Sequence, residues 1–90
     1  MLNLVLSNQM KKDLKLAKRR GYDINALKEI VDKLANREAL PKKNRDHSLS
    51  GILSGFRECH IQPNWLLVYK VDEDEVILFL FRTGTHSDLF

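Results

Sequence analysis

Trp65-Leu66-Leu67-Val68-Tyr69-Lys70-Val71, then Asp72-Glu73-Asp74-Glu75, then Val76-Ile77-Leu78-Phe79-Leu80-Phe81 spells a strand, a turn and a strand, and the other elements arrange themselves around it. Both apolar runs are rich in β-branched and aromatic residues, which fit a pleated surface. The four acidic residues between them are too polar for a core and read as a hairpin turn. The runs are nearly continuous rather than alternating, as expected of central strands covered on much of both faces. Phe56-Arg57-Glu58-Cys59-His60-Ile61 supplies a third antiparallel strand just upstream.

Toward the N-terminus the period changes. Pro41 to Gly51 is polar and reads as a loop. Ile24, Leu27, Ile30, Val31 and Leu34 form an apolar stripe at helical spacing, with Asp23 as its N-cap. Met10, Leu14 and Ala17 mark an earlier helix capped by Ser7 and stopped by Gly21. Leu2, Leu4 and Leu6 alternate with Asn3 and Val5 as a short strand. The expected fold is α+β: an N-terminal strand and a two-helix hairpin packed on one face of a small antiparallel sheet. Helices cover one face only, so the other calls for a partner or for the folded-back C-terminus.

Ninety residues suit a single domain, here spanning residues 1–90. With 43% hydrophobic and 30% charged residues, the composition excludes a disordered tail or a fibre. No charge-free run approaches the roughly 20 residues that span a bilayer, so no membrane association is expected. The N-terminus lacks the basic stretch and small-residue site of a signal peptide, and the lone Cys59 fits a reducing cytoplasm. Charge is segregated. Residues 1–45 carry twelve Lys or Arg against five Asp or Glu, whereas residues 46–90 carry three against seven. Lys11, Lys12, Lys15, Lys18, Arg19 and Arg20, with Lys42, Lys43 and Arg45, therefore suit a polyanion or an acidic protein segment, or form a solvated helix face.

The three histidines, His47, His60 and His86, lie in the second half, each in a polar or turn-like setting. Three readings stand side by side. They are separate surface histidines; or they form a zinc site, although no pair has ligand spacing and only Cys59 offers sulfur; or they serve metal-free RNA cleavage. In the last, a base takes the ribose 2′-OH proton, an acid protonates the departing 5′-oxygen, and a cation holds the phosphate oxygens. Histidine titrates near cellular pH and suits both proton roles. Arg82 and Arg57 offer guanidinium forks for phosphate. Trp65, Phe81 and Phe90 offer faces on which an unpaired base can stack.

Asp46-His47-Ser48-Leu49-Ser50-Gly51, Phe56-Arg57-Glu58-Cys59-His60-Ile61-Gln62-Pro63, Leu67-Val68-Tyr69-Lys70 and Arg82-Thr83-Gly84-Thr85-His86-Ser87-Asp88-Leu89-Phe90 are four ordered blocks. Together they closely resemble the YafQ branch of the RelE/ParE toxin superfamily over nearly the whole chain. The resemblance implies a RelE-like fold and the toxin of a type II toxin–antitoxin pair, an endoribonuclease that cuts mRNA in the ribosomal A site without cofactor or metal. It implies His47, His60 and His86 as catalytic histidines; the working assignment is His86 as acid and His60 or His47 as base, and the sequence equally allows the two roles to be exchanged. Arg82 falls at the scissile phosphate and Phe90 against the nucleotide.

One position departs from that pattern: Asn64 stands where the branch usually has aspartate. An amide cannot exchange a proton near neutral pH, which leaves open an attenuated or inactive nuclease. By their charge or aromatic face, Lys11, Lys12, Lys15, Lys18, Arg19, Lys42, Lys43, Arg57 and Trp65 are candidates for contact with RNA or ribosome. The expected partners are the ribosome with its mRNA and a cognate antitoxin offering an acidic, wrapping segment; operator DNA is reached only through the antitoxin complex. A competing expectation, a ParE-like gyrase inhibitor on the same fold, lacks use for the three histidines.

Overall fold

A computed structural model covers Met1–Phe90. The chain opens with strand β1 (Asn3–Leu6) and helix α1 (Asn8–Arg19). Ser7 caps α1 by accepting the Met10 amide at 2.9 Å, and its hydroxyl donates to the Phe81 carbonyl at 2.6 Å, which pins the helix start to the sheet. The helix ends where the sequence says it should. Gly21 takes φ +77°, and the Tyr22 amide closes back on the Ala17 carbonyl at 3.0 Å. Helix α2 (Ile24–Ala35) follows, capped by Asp23.

The expected loop from Pro41 to Gly51 holds more structure than its polarity suggests. It contains a 3-10 turn at Lys42–Asn44, the two-residue strand β2 (His47–Ser48) and the start of a second 3-10 turn at Gly51–Leu53. Strands β3 (Arg57–Gln62), β4 (Trp65–Asp72) and β5 (Ile77–Gly84) are those expected. A last helical turn, α3 (His86–Leu89), was not expected, although Thr85 and Asp88 cap it reciprocally.

The sheet order is β1-β5-β4-β3-β2, so the hairpin of residues 65–81 lies at its centre. The pairs β2–β3, β3–β4 and β4–β5 are antiparallel. The three long strands are antiparallel as expected, and β1, for which the sequence gives no partner, runs parallel to β5, with Leu4 beside Leu78 and Leu6 beside Leu80. The two helices between β1 and the remaining strands act as the crossover that parallel pairing requires.

One core lies between helices and sheet. Met10, Ala17, Leu27, Ile30 and Leu34 pack on Cys59, Ile61, Trp65, Leu67, Tyr69, Leu78 and Leu80. Side chains alternate along strands, so Glu58, His60, Leu66 and Val68 point to the opposite, helix-free face. Leu66 and Val68 are nevertheless buried there. The chain itself provides the cover: Phe56 stacks on Phe81 at 4.9 Å and Phe81 on Phe79 at 6.2 Å, while the Leu49 amide ties the covering loop to the Phe56 carbonyl at 2.9 Å.

Candidate active site

The helix-free face carries the polar groups of interest, and sheet register decides which of them are neighbours. His47 pairs with Glu58, Glu58 with Val68, and Val68 with Arg82, forming one row across four strands. In the next row His60 pairs with Leu66, and Leu66 with Gly84, two residues before His86. Strands lie about 4.8 Å apart, so His60 and Gly84 backbones are separated by about 10 Å and His47 and Arg82 by about 14 Å. Three histidines that are far apart along the chain thus come to one end of one sheet.

The His47 position is fixed from the other face. Arg45 adopts a left-handed conformation, φ +49°, which turns the chain into β2. Asp46 then accepts the buried Tyr69 hydroxyl at 2.5 Å and the Arg57 Nε at 3.3 Å. Burial, with the Asp46 carboxylate beside it, pushes the Tyr69 hydroxyl pKa well above its ordinary range, so it stays a donor. With Asp46 held on the helix side, His47 projects to the helix-free side. Its Nδ1 donates to the Arg45 carbonyl at 2.7 Å, and its Nε2 lies 3.7 Å from Glu58 Oε1. Glu58 is itself buried.

His60 is half-buried on β3. Its carbonyl accepts the Asn44 side-chain amide at 2.7 Å and its Nδ1 lies 3.3 Å from the Pro63 carbonyl. Asn64 follows in the exposed turn. Lys43, Asn44, His60, Gln62 and Pro63 line a groove of about 220 Å³ beside it.

At the other side of the patch, β5 contains an extra residue: Val68 faces Arg82 while Tyr69 faces Leu80, leaving Phe81 unpaired. Beyond this bulge the Arg82 Nε and Nη2 donate to Asp13 of α1 at 3.0 and 3.1 Å. The turn of α3 is held by its cap and by Arg20, whose Nη1 and Nη2 reach the Asp88 oxygens at 2.6 and 3.2 Å. That guanidinium, together with the Thr85 amide, holds the Asp88 carboxyl well below the usual range. Gly84 has no side chain for a reason: a Cβ there would lie 2.9 Å from both Cβ and Oδ2 of Asp88. The exposed rings of His86 and Phe90 face each other at 5.2 Å.

The family model for the bacterial toxin of type II toxin–antitoxin systems, YafQ, matches residues 2–90. The chain belongs to the YafQ toxin family. It is 42% identical over 85 residues to the mRNA interferase toxin YafQ of Escherichia coli K12, covering 93% of this chain and 90% of that protein. Its fold superposes on the crystal structure of YafQ from E. coli BL21(DE3) with a TM-score of 0.92 at 37% identity, over 100% and 99% of the two chains. Against the crystal structure of the E. coli DinJ–YafQ toxin–antitoxin complex the TM-score is 0.89 at 40% identity, over 99% and 97%.

Some residues singled out from the sequence lie outside the patch of this YafQ-family chain. Trp65 is corrected from RNA contact to core: it is 1% exposed, with its ring 5.0 Å from Tyr22, and offers no face to a base. Arg57 lies on the helix side with its Nε on Asp46, away from the histidine row. Lys11, Lys12, Lys15, Lys18 and Arg19 are exposed on α1, and Lys42 and Lys43 on the 3-10 turn. Cys59 is sealed, and burial with the Asp46 and Glu58 carboxylates pushes its thiol up to about 12, which leaves no thiolate for chemistry. No three His, Cys, Asp or Glu side chains gather as a metal-holding group, and no helix is long and apolar enough to cross a membrane.

The structure also brings in Glu58, Asp13, Arg20 and Asp88, none of which the sequence reading had placed at the site. Asp13 did leave a trace: it is the one carboxylate of α1, flanked by lysines and spaced three and four residues from Met10 and Ala17.

Proposed function

We infer that this YafQ-family toxin is an mRNA interferase acting on message held by the ribosome. The observation that carries the reading is the register that sets His60 and the Gly84–His86 segment on either side of Leu66, with His47 and Arg82 in the adjoining row. A phosphodiester held between His60 and the Gly84–His86 segment has an imidazole toward each end. His60 or His47 takes the 2′-hydroxyl proton. The 2′-oxygen attacks phosphorus, the P–O5′ bond breaks, and His86 protonates the leaving oxygen. Arg82 meets the phosphate oxygens, and Phe90, beside His86, stacks a base. The reaction leaves a 2′,3′-cyclic phosphate and a 5′-hydroxyl, and none of these steps calls on a cofactor.

The basic face of α1, with Lys42 and Lys43, suits ribosomal RNA. Such docking weakens steeply with salt as neutralised phosphates release counterions. For the cognate antitoxin, an acidic segment with apolar anchors fits the groove of about 340 Å³ between β1 and the helices. That groove is lined by Leu4, Leu6, Leu14 and Ile24 and rimmed by Lys18 and Lys28. Operator DNA would then be bound by the complex through its antitoxin. The place of action is the cytoplasm, where translating ribosomes are.

Mapping mRNA 5′ ends in a translation reaction with the purified chain tests the assignment: new ends bearing 5′-hydroxyls are expected, and His86→Gln should abolish them. Intact message with inhibited DNA supercoiling would replace the nuclease by a gyrase poison. Asn64, exposed immediately after the Pro63 that His60 faces, favours a second reading of reduced turnover. Asn64→Asp should then cleave faster than the parent; equal rates would remove a carboxylate at this position from the mechanism.

A further inference from the structure

We propose that Asp13, on α1, is the positioning residue for Arg82 and sets the edge of the guanidinium that meets the scissile phosphate. The proposal rests on the reading of Arg82 given above. Asp13 is 7% exposed, on the helix face that also buries Met10 and Ala17. A carboxylate so placed is retained only when its oxygens are satisfied, and here they are. Oδ2 accepts Arg82 Nε at 3.0 Å and the Thr83 amide at 3.2 Å; Oδ1 accepts Arg82 Nη2 and Gln9 Nε2, each at 3.1 Å. Burial pushes the Asp13 carboxyl up, yet these four donors outweigh it and the net displacement is downward. With its acceptor sites taken, Asp13 is no proton carrier for RNA. Its effect passes through Arg82.

Arg82 is left with a defined free edge. A guanidinium has five N–H donors. Asp13 uses Nε and one hydrogen of Nη2, so both Nη1 hydrogens and the second of Nη2 stay free, and one from each of these two nitrogens forms the end fork, on a side chain that is 29% exposed. That fork matches two phosphate oxygens. The same carboxylate also holds the backbone next door. β1 pairs with β5 only as far as Leu80, Ser7 takes the Phe81 carbonyl, and Asp13 takes the Thr83 amide. A side chain of α1 thus continues the edge pairing where β1 stops, so Arg82 is fixed at its stem and at its head. Without Asp13 the arginine regains its rotamers, and the entropy of ordering it falls on the reaction.

The test is a double-mutant cycle on mRNA cleavage with programmed ribosomes, measuring kcat and KM for the parent, Asp13→Asn, Arg82→Ala and the double variant. Asp13→Asn should lower kcat by about 10- to 100-fold, the scale of a misplaced catalytic group, with KM within about twofold. In the Arg82→Ala background the same substitution should change kcat by less than about twofold. A drop that persists undiminished in that background, or a wild-type kcat for Asp13→Asn, overturns the proposal. An Arg82→Ala variant that cleaves like the parent sinks instead the assignment of Arg82 on which it rests. Should Asp13→Asn fail to fold, the parent chain still decides. Its Arg82 Nε–H should exchange with solvent far more slowly than that of exposed Arg19, and equal exchange refutes a held guanidinium.

Discussion

Replacing Gly84 with alanine adds a single carbon at the place where β5 hands over to the turn bearing His86. That carbon would sit 2.9 Å from both Cβ and Oδ2 of Asp88 and 3.4 Å from its Cγ. Asp88 cannot step aside freely, because its Oδ2 accepts the Thr85 amide at 2.8 Å and its own amide donates to Thr85 Oγ1 at 3.1 Å. Overpacking of this kind costs about 1–3 kcal/mol, whereas releasing the helix cap costs about 1 kcal/mol. The cheaper route is therefore for the four residues of α3 to lift away while the sheet stays folded. Thermal unfolding should show a Tm lower by roughly 4–8 °C per kcal/mol. Cleavage should fall by about 100-fold, as expected when His86 and Phe90 are displaced by about an ångström. The assay is mapped mRNA cleavage beside a melting curve of the same preparation. Full cleavage with an unchanged Tm would refute the packing argument, and a Tm loss above about 20 °C would show that the strain spreads through the sheet.

Three further outcomes follow from individual contacts. Val76, a β-branched residue at φ +57° in the β4–β5 turn, carries strain of about 1–3 kcal/mol, partly offset in a glycine variant by about 0.5–1 kcal/mol of backbone entropy; Val76→Gly should raise Tm, and a fall would show the turn is unstrained. Tyr69→Phe leaves Asp46 with Arg57 alone and should cost about 1–3 kcal/mol in urea unfolding, with reduced cleavage through the loosened His47 segment; unaltered stability would remove that hydrogen bond from the account. The Asp13 and Asp88 carboxyls titrate lower in the folded chain than in the unfolded one, so their stabilisation is present above the unfolded value of about 3.9 and is lost as pH falls through the folded values. A Tm series from pH 6 to pH 2 should decline below about pH 4, and less steeply for Asp13→Asn; parallel curves would contradict this.

The strand–turn–strand of residues 65–81 was legible because four consecutive acidic residues cannot be buried between two apolar runs. The partner of β1 was not. Leu2, Leu4 and Leu6 report which residues seek cover, and Leu4 remains half-exposed at 50%, but alternation carries no information about which strand lies alongside. A strand of two residues such as β2 is too short to show any period, so the turn that orients His47 was hidden in a polar segment. Residue chemistry did mark the histidines and Arg82, and register then gathered them at one end of the sheet. Trp65 misled because it opens β4 directly after the exposed turn of Pro63 and Asn64, while its burial involves Tyr22, more than forty residues away. Thr85 and Asp88 do carry a capping signature for α3, but a helix of a single turn is too short to show the period that would confirm it.

Helix α1 has two unlike sides, since its lysines face solvent while Asp13 faces inward. Substitutions among Lys11, Lys12, Lys15 and Lys18 leave the carboxylate and its guanidinium untouched. Descendants of this toxin are therefore free to vary the charge along the outward side, in small evolutionary steps, without disturbing the ion pair held beneath it.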